Sequence, residues 1–391
     1  MLIALNILDS CDGGCFGGLV DDGAAGQLQS LHFTAAIVAN GDETATALNA
    51  LMRRGLYGLV VSSEPSDVLN RFGCSPSLAG VMLNTLPVNA NDSATIDQMS
   101  SKCAQLRWKG GHMLPLIIAG ASTGTNPART ASEAIAAAGC PTAPFRAVVP
   151  RTKLEAERLQ GQIASICCLV SSDPRTTGTT MVEVRGPAAA PNVASAIGSD
   201  VLRAGPVRFT VWVSLMWNAQ GLLFSNVPQH LLTAIGELNR RVTAISGRLQ
   251  RTVRPSMVYT AANGTQICPR KFCGASQRPG HDGQGNLDKT VTVQAMDEHL
   301  MVYEIESCSS SAELGCPTPP MLLVLDTRVD AATDHPKLAR AVLQDHVWGT
   351  MPIEGDCAAG FINCAKMVVG NELQLHLRPG DAQLVALTVA R

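Results

Sequence analysis

Catalysis and ligand capture need nucleophiles, bases, metal ligands or anion-binding loops at workable spacing, and four regions of this 391-residue chain offer such groups. The first is Asp9-Ser-Cys11-Asp12-Gly-Gly-Cys15-Phe-Gly-Gly18, directly after an apolar run. A glycine-rich turn can aim backbone N–H groups at an anion. This one lacks the G-x-G-x-x-G spacing and the Lys-Ser/Thr of a phosphate-binding loop, and Asp9, Asp12, Asp21 and Asp22 would repel a phosphate. Cys11 or Cys15 would act as a nucleophile only beside a base, and the surrounding acids oppose thiolate formation. A structural turn is the simpler reading.

The second region is Leu116-Ile-Ile-Ala-Gly-Ala-Ser122-Thr123-Gly-Thr-Asn126-Pro127. It reads as a strand, a small-residue loop and a helix start, with Asn126 as N-cap and Pro127 at the first helical position. Such a junction can hold an anion at the helix N-terminus, with Ser122, Thr123 and Asn126 as the binding residues. The third is Cys268, Cys273 and His281, with Cys308 and Cys316 further on. Zinc takes about four N or S ligands, usually paired across short spacers, and a four-residue spacer fits that pattern poorly. No cofactor is implied.

The fourth is a charge asymmetry hidden by a net charge of −2. Between Glu237 and Asp282 there is no acid, while Arg240, Arg241, Arg248, Arg251, Arg254, Arg270, Lys271 and Arg278 all fall there; the next stretch reverses sign, with Asp297, Glu298, Glu304, Glu306, Glu313, Asp326, Asp330 and Asp334. Opposed blocks of this kind suit protein–protein complementarity. Basic blocks also meet nucleic-acid phosphates, but Tyr259 and Phe272 alone accompany this one, so base stacking has little to use and nucleic acid is the less favoured partner. Dispersed histidines give no H-E-x-x-H zinc pattern, and no G-x-S-x-G nucleophile elbow occurs.

The elements that would position these groups follow from hydrophobic patterning. Short apolar runs (33–40, 56–62, 113–119, 145–150, 166–171, 180–185 and 207–214) read as strands. Between them, helices are expected over 42–54, 96–108, 126–138, 152–164 and 192–203. Strand–helix alternation with continuously apolar strands favours a parallel sheet covered on both faces. Leu231, Ile235, Leu238, Val242, Ile245 and Leu249 step by fours and threes, which predicts a helix opening near Pro228. Strands are then expected at 290–295, 300–306 and 321–325, a helix over 335–347, and two strands around the turn Arg378-Pro-Gly-Asp381.

The fold class is therefore α/β (mixed α+β), a layered sheet with helices and a strand-rich C-terminal part. Residues 1–254 form the α/β domain, divisible near 125–150; residues 255–289 form an irregular loop or linker, and 290–391 a smaller strand-rich unit. Charged residues make up 16% of the chain and apolar ones 46%, against a usual charged share of about 25%. That scarcity suggests surface covered by partner subunits. With no complete catalytic set, it points to a structural or assembly protein, of the capsid-shell or capsid-cementing kind. The alternative is an α/β enzyme or small-molecule binder using the junction at Ser122–Asn126 or a Cys11 or Cys15 thiol. The thirteen cysteines read as reduced, and the absence of a signal pattern or a membrane-length apolar run places the chain in the cytoplasm (or a virion, if viral).

Overall fold

A computed structural model describes residues 1–8, 18–83, 116–118, 142–172, 179–186, 203–216, 219, 221–249, 255–256, 259–260, 266–267, 292–295, 297, 299–305, 321–344, 348–352, 368–369 and 372–389, with isolated positions between 97 and 105. It divides into two compact units. One comprises Met1–Val149, Ile166–Arg203 and Ala219–Asn239; the other comprises Pro150–Ser165, Ala204–Asn218 and Arg240–Arg391.

The first unit is built on β1 (Leu2–Asn6), β2 (Ala35–Ala39), β3 (Tyr57–Val61), β4 (Leu78–Leu83), β5 (Leu116–Ile118), β6 (Thr142–Val148), β7 (Thr179–Arg185) and β8 (Gly221–Ser225). Their hydrogen-bonded order is β5-β4-β3-β2-β1-β8-β7-β6, and every pairing is parallel. The order is circular, and the two ends, β5 and β6, bring Cα atoms within 8 Å of each other. This is the eight-stranded parallel barrel of a (β/α)8 fold.

Its helices begin where local chemistry dictates. Asp21 caps α1 (Asp22–Ser30), accepting from Ala24 N at 2.7 Å. The stop expected after residue 54 is present: α2 (Thr44–Arg53) ends at Gly55, whose φ of +68° glycine adopts without steric cost. Pro65 opens α3 (Pro65–Phe72).

Alternation sorts the barrel strands into two faces. Ala4, Ala35, Ile37, Leu59, Met82, Met181 and Leu223 form one cluster drawn from six strands, which is the lumen. The other face packs on helices and neighbouring chain, with Phe33 edge-on to Phe224 at 5.9 Å. Register carries the lumen face round the barrel: Met181 pairs with Gly221, Glu183 with Leu223, Leu223 with Ala4, and Ala4 with Ala35. Gly221 is glycine for a packing reason, because a Cβ there would sit 2.9 Å from Met181 Cγ.

The second unit carries two sheets. The six-stranded one runs β11-β10-β12-β15-β18-β17 and the five-stranded one β16-β19-β14-β13-β9. The strands are β9 (Pro255–Ser256), β10 (Tyr259–Thr260), β11 (Gln266–Ile267), β12 (Thr292–Ala295), β13 (Leu300–Ile305), β14 (Met321–Asp326), β15 (Lys337–Gln344), β16 (Trp348–Pro352), β17 (Val368–Val369), β18 (Glu372–Leu377) and β19 (Ala382–Val389). All described pairings are antiparallel except β10 with β12. The expected turn at Arg378–Asp381 does not close a hairpin; it carries the chain from β18 in one sheet to β19 in the other.

That turn is locked from several sides. Gly380 has φ +70°, and a Cβ on it would collide with the Gly205 carbonyl. Gly205 begins α5 (Ala204–Met216), which packs on β14 and β19. From α5, Trp212 donates its indole N–H to Asp381 at 3.0 Å. Arg241 pairs with the same carboxylate, donates to Ala382 O at 2.6 Å, and stacks over the Trp212 ring at 5.1 Å. Arg208 grips Asp334 with both terminal nitrogens, at 2.5 and 2.7 Å. Asp326, at the end of β14, pairs with Arg328; burial pushes its carboxyl above the ordinary range, against the pull of the Arg328 hydrogen bonds and charge.

Three expected elements differ. The run 207–214 is helical, within α5: Gly205 to Met216 are all buried, so no period distinguishes helix from strand. The run 166–171 continues α4 (Lys153–Ser172), whose start is fixed by Glu155 N donating to Thr152 Oγ1 while Thr152 N donates back to Glu155 Oε2. Residues 335–344 are not helical, and 345–347 lie outside the described residues. Lys337–Gln344 is strand β15, paired on both sides by β12 and β18, with Ala339 and Ala341 buried and Leu338 and Arg340 exposed. The helix expected from Pro228 is α6 (Leu232–Leu249), preceded by a 3₁₀ turn, and Leu231, Ile235, Leu238, Val242 and Ile245 are buried. The expected helices at 96–108, 126–138 and 192–203 fall almost wholly outside the described residues.

Two substitutions test the locked turn. Asp381→Asn leaves the Arg241 guanidinium buried without its counter-charge, and equilibrium urea denaturation is expected to show a loss of about 3–5 kcal/mol. Gly380→Ala combines a left-handed backbone with a clash and is expected to lose at least about 2 kcal/mol in the same assay.

Candidate functional site

In a parallel barrel the residues on the lumen face of each strand form stacked layers, and the layer at the C-terminal ends of the strands is where ligands enter. Following the lumen face upward here gives a sharp change of chemistry. On β1, β7 and β8 the apolar lumen face gives way to Asn6, to Glu183 and Arg185, and to Ser225, while β2 and β3 continue it as Ala39 and Val61. Arg185 and Ser225 are register partners. Leu5 pairs with Phe224, which sets Asn6 beside Ser225. Three adjacent strands thus place an amide, a hydroxyl and a guanidinium side by side, with a carboxylate one step below.

Glu183 is 3% exposed. Arg185 Nη1 lies 3.4 Å from its Oε1 and remains 29% exposed at the side chain, so the pair is sealed below and open above. Asn6 is 8% exposed, and its Oδ1 accepts from Leu8 N at 3.2 Å. Val148, in register with Arg185 on β6, is exposed. The strand ends are tied together behind these groups: Gly186 N donates to Ser225 O at 3.0 Å, Val149 N to Arg185 O at 3.0 Å, and Asn226 Nδ2 to Gly186 O at 3.2 Å. Asn226 holds φ +52°, a conformation asparagine tolerates better than most residues.

A second polar group sits at the ends of β2 and β3, but on the opposite parity. Asn40 Nδ2 donates to Asp67 at 3.0 Å; Arg71 donates to Asn40 Oδ1 at 3.2 Å and to Gly41 O at 3.0 Å; Lys102 donates to Ser63 O at 2.7 Å and to Glu64 at 3.4 Å. These bonds tie α3 and Lys102 to the loops that follow the strands. They shape the rim and leave the lumen set to meet a ligand.

What the lumen set can do follows from its groups. Glu183 accepts hydrogen bonds or a proton, Arg185 donates only, and Asn6 and Ser225 can do both. Glu183 and Arg185 offset each other, and Arg146 of β6 stands in register with Glu183; this mixture of donors and acceptors suits a hydroxyl-rich molecule.

The residues singled out from sequence lie elsewhere. Cys11 and Cys15 follow β1 in the chain, and Ser122, Thr123 and Asn126 follow β5; all five are outside the described residues, as are Arg251, Arg254, Arg270, Lys271, Arg278, Cys268, Cys273 and His281. Of the basic block, Arg240 is exposed, Arg248 belongs to α6, and Arg241 is 4% exposed and engaged with Asp381, so it is an interior residue rather than part of an interaction surface. The described cysteine Cys74 is free and exposed, and no group of His, Cys, Asp and Glu among the described residues could hold a metal. No described helix is long and apolar enough to cross a membrane.

Sequence reasoning missed Glu183, Arg185 and Ser225. The available signal was parity: Met181-Val-Glu183-Val-Arg185 puts two opposite charges on one face of an apolar strand.

No protein-family model matches the chain, and no curated protein matches it. Solved structures do. The chain is similar in fold to the pullulanase of Anoxybacillus sp. LM18-11, crystallised with maltotetraose, at 11% identity over 98% of this chain and 71% of that one, with a TM-score of 0.51. Type I pullulanase from Bacillus subtilis str. 168, complexed with maltose, gives 9% identity over 100% and 70% with a TM-score of 0.48. A truncated 3-deoxy-D-arabino-heptulosonate 7-phosphate synthase from Thermotoga maritima gives 13% identity over 64% and 87% with a TM-score of 0.39. The expectation of a structural or assembly protein of capsid or virion type is corrected by this likeness: the fold is an α/β barrel similar to that of the Anoxybacillus pullulanase.

Proposed function

We propose that this chain is a (β/α)8-barrel enzyme acting on a small, hydroxyl-rich molecule of the carbohydrate kind, bound where the lumen opens at the C-terminal ends of β1, β7 and β8. One observation carries the reading: the lumen is apolar below and changes to Glu183, Arg185, Asn6 and Ser225 at that mouth. Energetics make the change informative. Placing a carboxylate and a guanidinium in a protein interior costs several kcal/mol per ion in desolvation, and an apolar pair of similar volume generally serves the fold as well or better. The lower lumen is filled in that apolar way, so stability alone does not call for the pair. Glu183 is the group placed to accept a substrate hydroxyl or its proton. Arg185 holds that carboxylate and donates to a neighbouring oxygen. Asn6 reads a further hydroxyl.

The fold likeness to the Anoxybacillus pullulanase supports a barrel enzyme and leaves the substrate to the site. Glycoside hydrolysis generally needs two carboxylates across the scissile bond. Among the described residues the lumen presents one, Glu183, and we accordingly propose binding of a hydroxylated molecule at that carboxylate.

Maltotetraose, cellotetraose and xylotetraose, titrated calorimetrically into the full chain, test it. Wild type is expected to bind at least one of them, and Glu183→Gln to weaken that binding by a hundred-fold or more while circular dichroism stays native. Unchanged affinity in Glu183→Gln would remove the site from the barrel mouth.

A further inference from the structure

We infer that Ser225 is a specificity-determining residue whose hydroxyl is reserved for a hydroxyl of the substrate; this rests on the barrel-mouth site proposed above and names the contact by which it selects. Ser225 is fully buried, and its Oγ has no hydrogen-bond partner among the described residues. A buried hydroxyl left unpaired keeps its desolvation cost with no bond to offset it, and alanine would fill the same space without that cost.

Its position gives the orphaned group a purpose. Ser225 shares the lumen parity of Leu223, stands in register with Arg185, and adjoins Asn6 on β1. Its backbone carbonyl is already engaged by Gly186 N, and Asn226 ties the next residue to Gly186 O. The backbone on either side of Ser225 is therefore held, and no described group bonds its Oγ. Its neighbours constrain what that is. Arg185 can only donate and is already paired with Glu183, and Glu183 as a carboxylate can only accept. A substrate hydroxyl, both donor and acceptor, can accept from Ser225 or Arg185 while donating to the carboxylate. An alkyl carbon or a hydrogen at that point would leave Ser225 as costly as in the free protein. Sites built around a hydroxyl contact of this kind discriminate strongly against analogues lacking it.

Ser225→Ala tests this in two independent ways. In the free protein the thermal midpoint is expected to stay level or rise, because an unpaired buried hydroxyl is removed. Binding of the tetrasaccharide that wild type prefers is expected to weaken about ten- to a hundred-fold. Ser225→Thr, which keeps the hydroxyl, is expected to recover part of that loss. A Ser225→Ala protein that unfolds at clearly lower temperature would show that the hydroxyl has a structural partner, and would overturn the inference. Wild-type affinity in Ser225→Ala, with Glu183→Gln still impaired, would overturn the serine's role alone. Failure of wild type to bind any of the three sugars would overturn the barrel-mouth reading and this inference together.

Discussion

Closing eight parallel strands into a ring commits every second residue of each strand to a lumen of limited width, and the rest of the first unit follows from that commitment. Large and small side chains must complement one another across it. Met181 occupies the space that Gly221 leaves, and Met82, Leu59 and Leu223 share a layer with Ala4 and Ala35. A one-residue slip in any strand would turn its lumen set outward. The same register that packs the lower lumen therefore fixes Asn6, Glu183, Arg185 and Ser225 at its mouth. The chemistry needs no positioning device of its own.

The two units use buried charge in different ways, and the contrast separates structure from site. In the second unit, Arg241 and Asp381 are both sealed. The pair is completed by the Trp212 indole, the Ala382 carbonyl and ring stacking, all of it holding one turn against α5. In the first unit, Glu183 is as deeply buried, yet its partner Arg185 reaches solvent, and beside it stands a hydroxyl with no partner among the described residues. A network satisfied on all sides rigidifies a fold. At the barrel mouth the half-exposed Arg185 and the Ser225 hydroxyl, which has no partner among the described residues, lack that enclosure.

How far the sequence disclosed this can be traced residue by residue. The α/β class was legible because strands buried on both faces read as continuous apolar runs between amphipathic helices, as at 33–40, 42–54 and 56–62. The same logic failed where a helix is buried all round: Gly205 to Met216 offers no polar face, so its apolar run was indistinguishable from a strand. It failed in the opposite sense at Lys337–Gln344. Leu, Ala, Arg and Gln favour helices, but pairing with β12 and β18 overrides that weak preference. The candidate site was hidden for another reason. Glu183, Arg185 and Ser225 form no motif along the chain, and their meeting depends on β1, β7 and β8 being neighbours, which no local pattern encodes.

The scarcity of charge, which first suggested a surface covered by partner subunits, has a sufficient cause inside the chain. A barrel strand hides its lumen face in the core and its outer face beneath helices, so neither face calls for charge. In β2, Ala35 to Val38 are buried on both parities, and in β8 all five residues are. α5 adds a helix with no exposed stripe, and β14 a strand buried from Leu322 to Leu325. Such elements remove charged positions wholesale, whereas a single amphipathic layer would keep half of them. A low charged fraction is thus as much the mark of a barrel with a buried C-terminal core as of an assembly subunit. What decides between them is where the few interior charges stand, and here two of them stand at the mouth of the barrel.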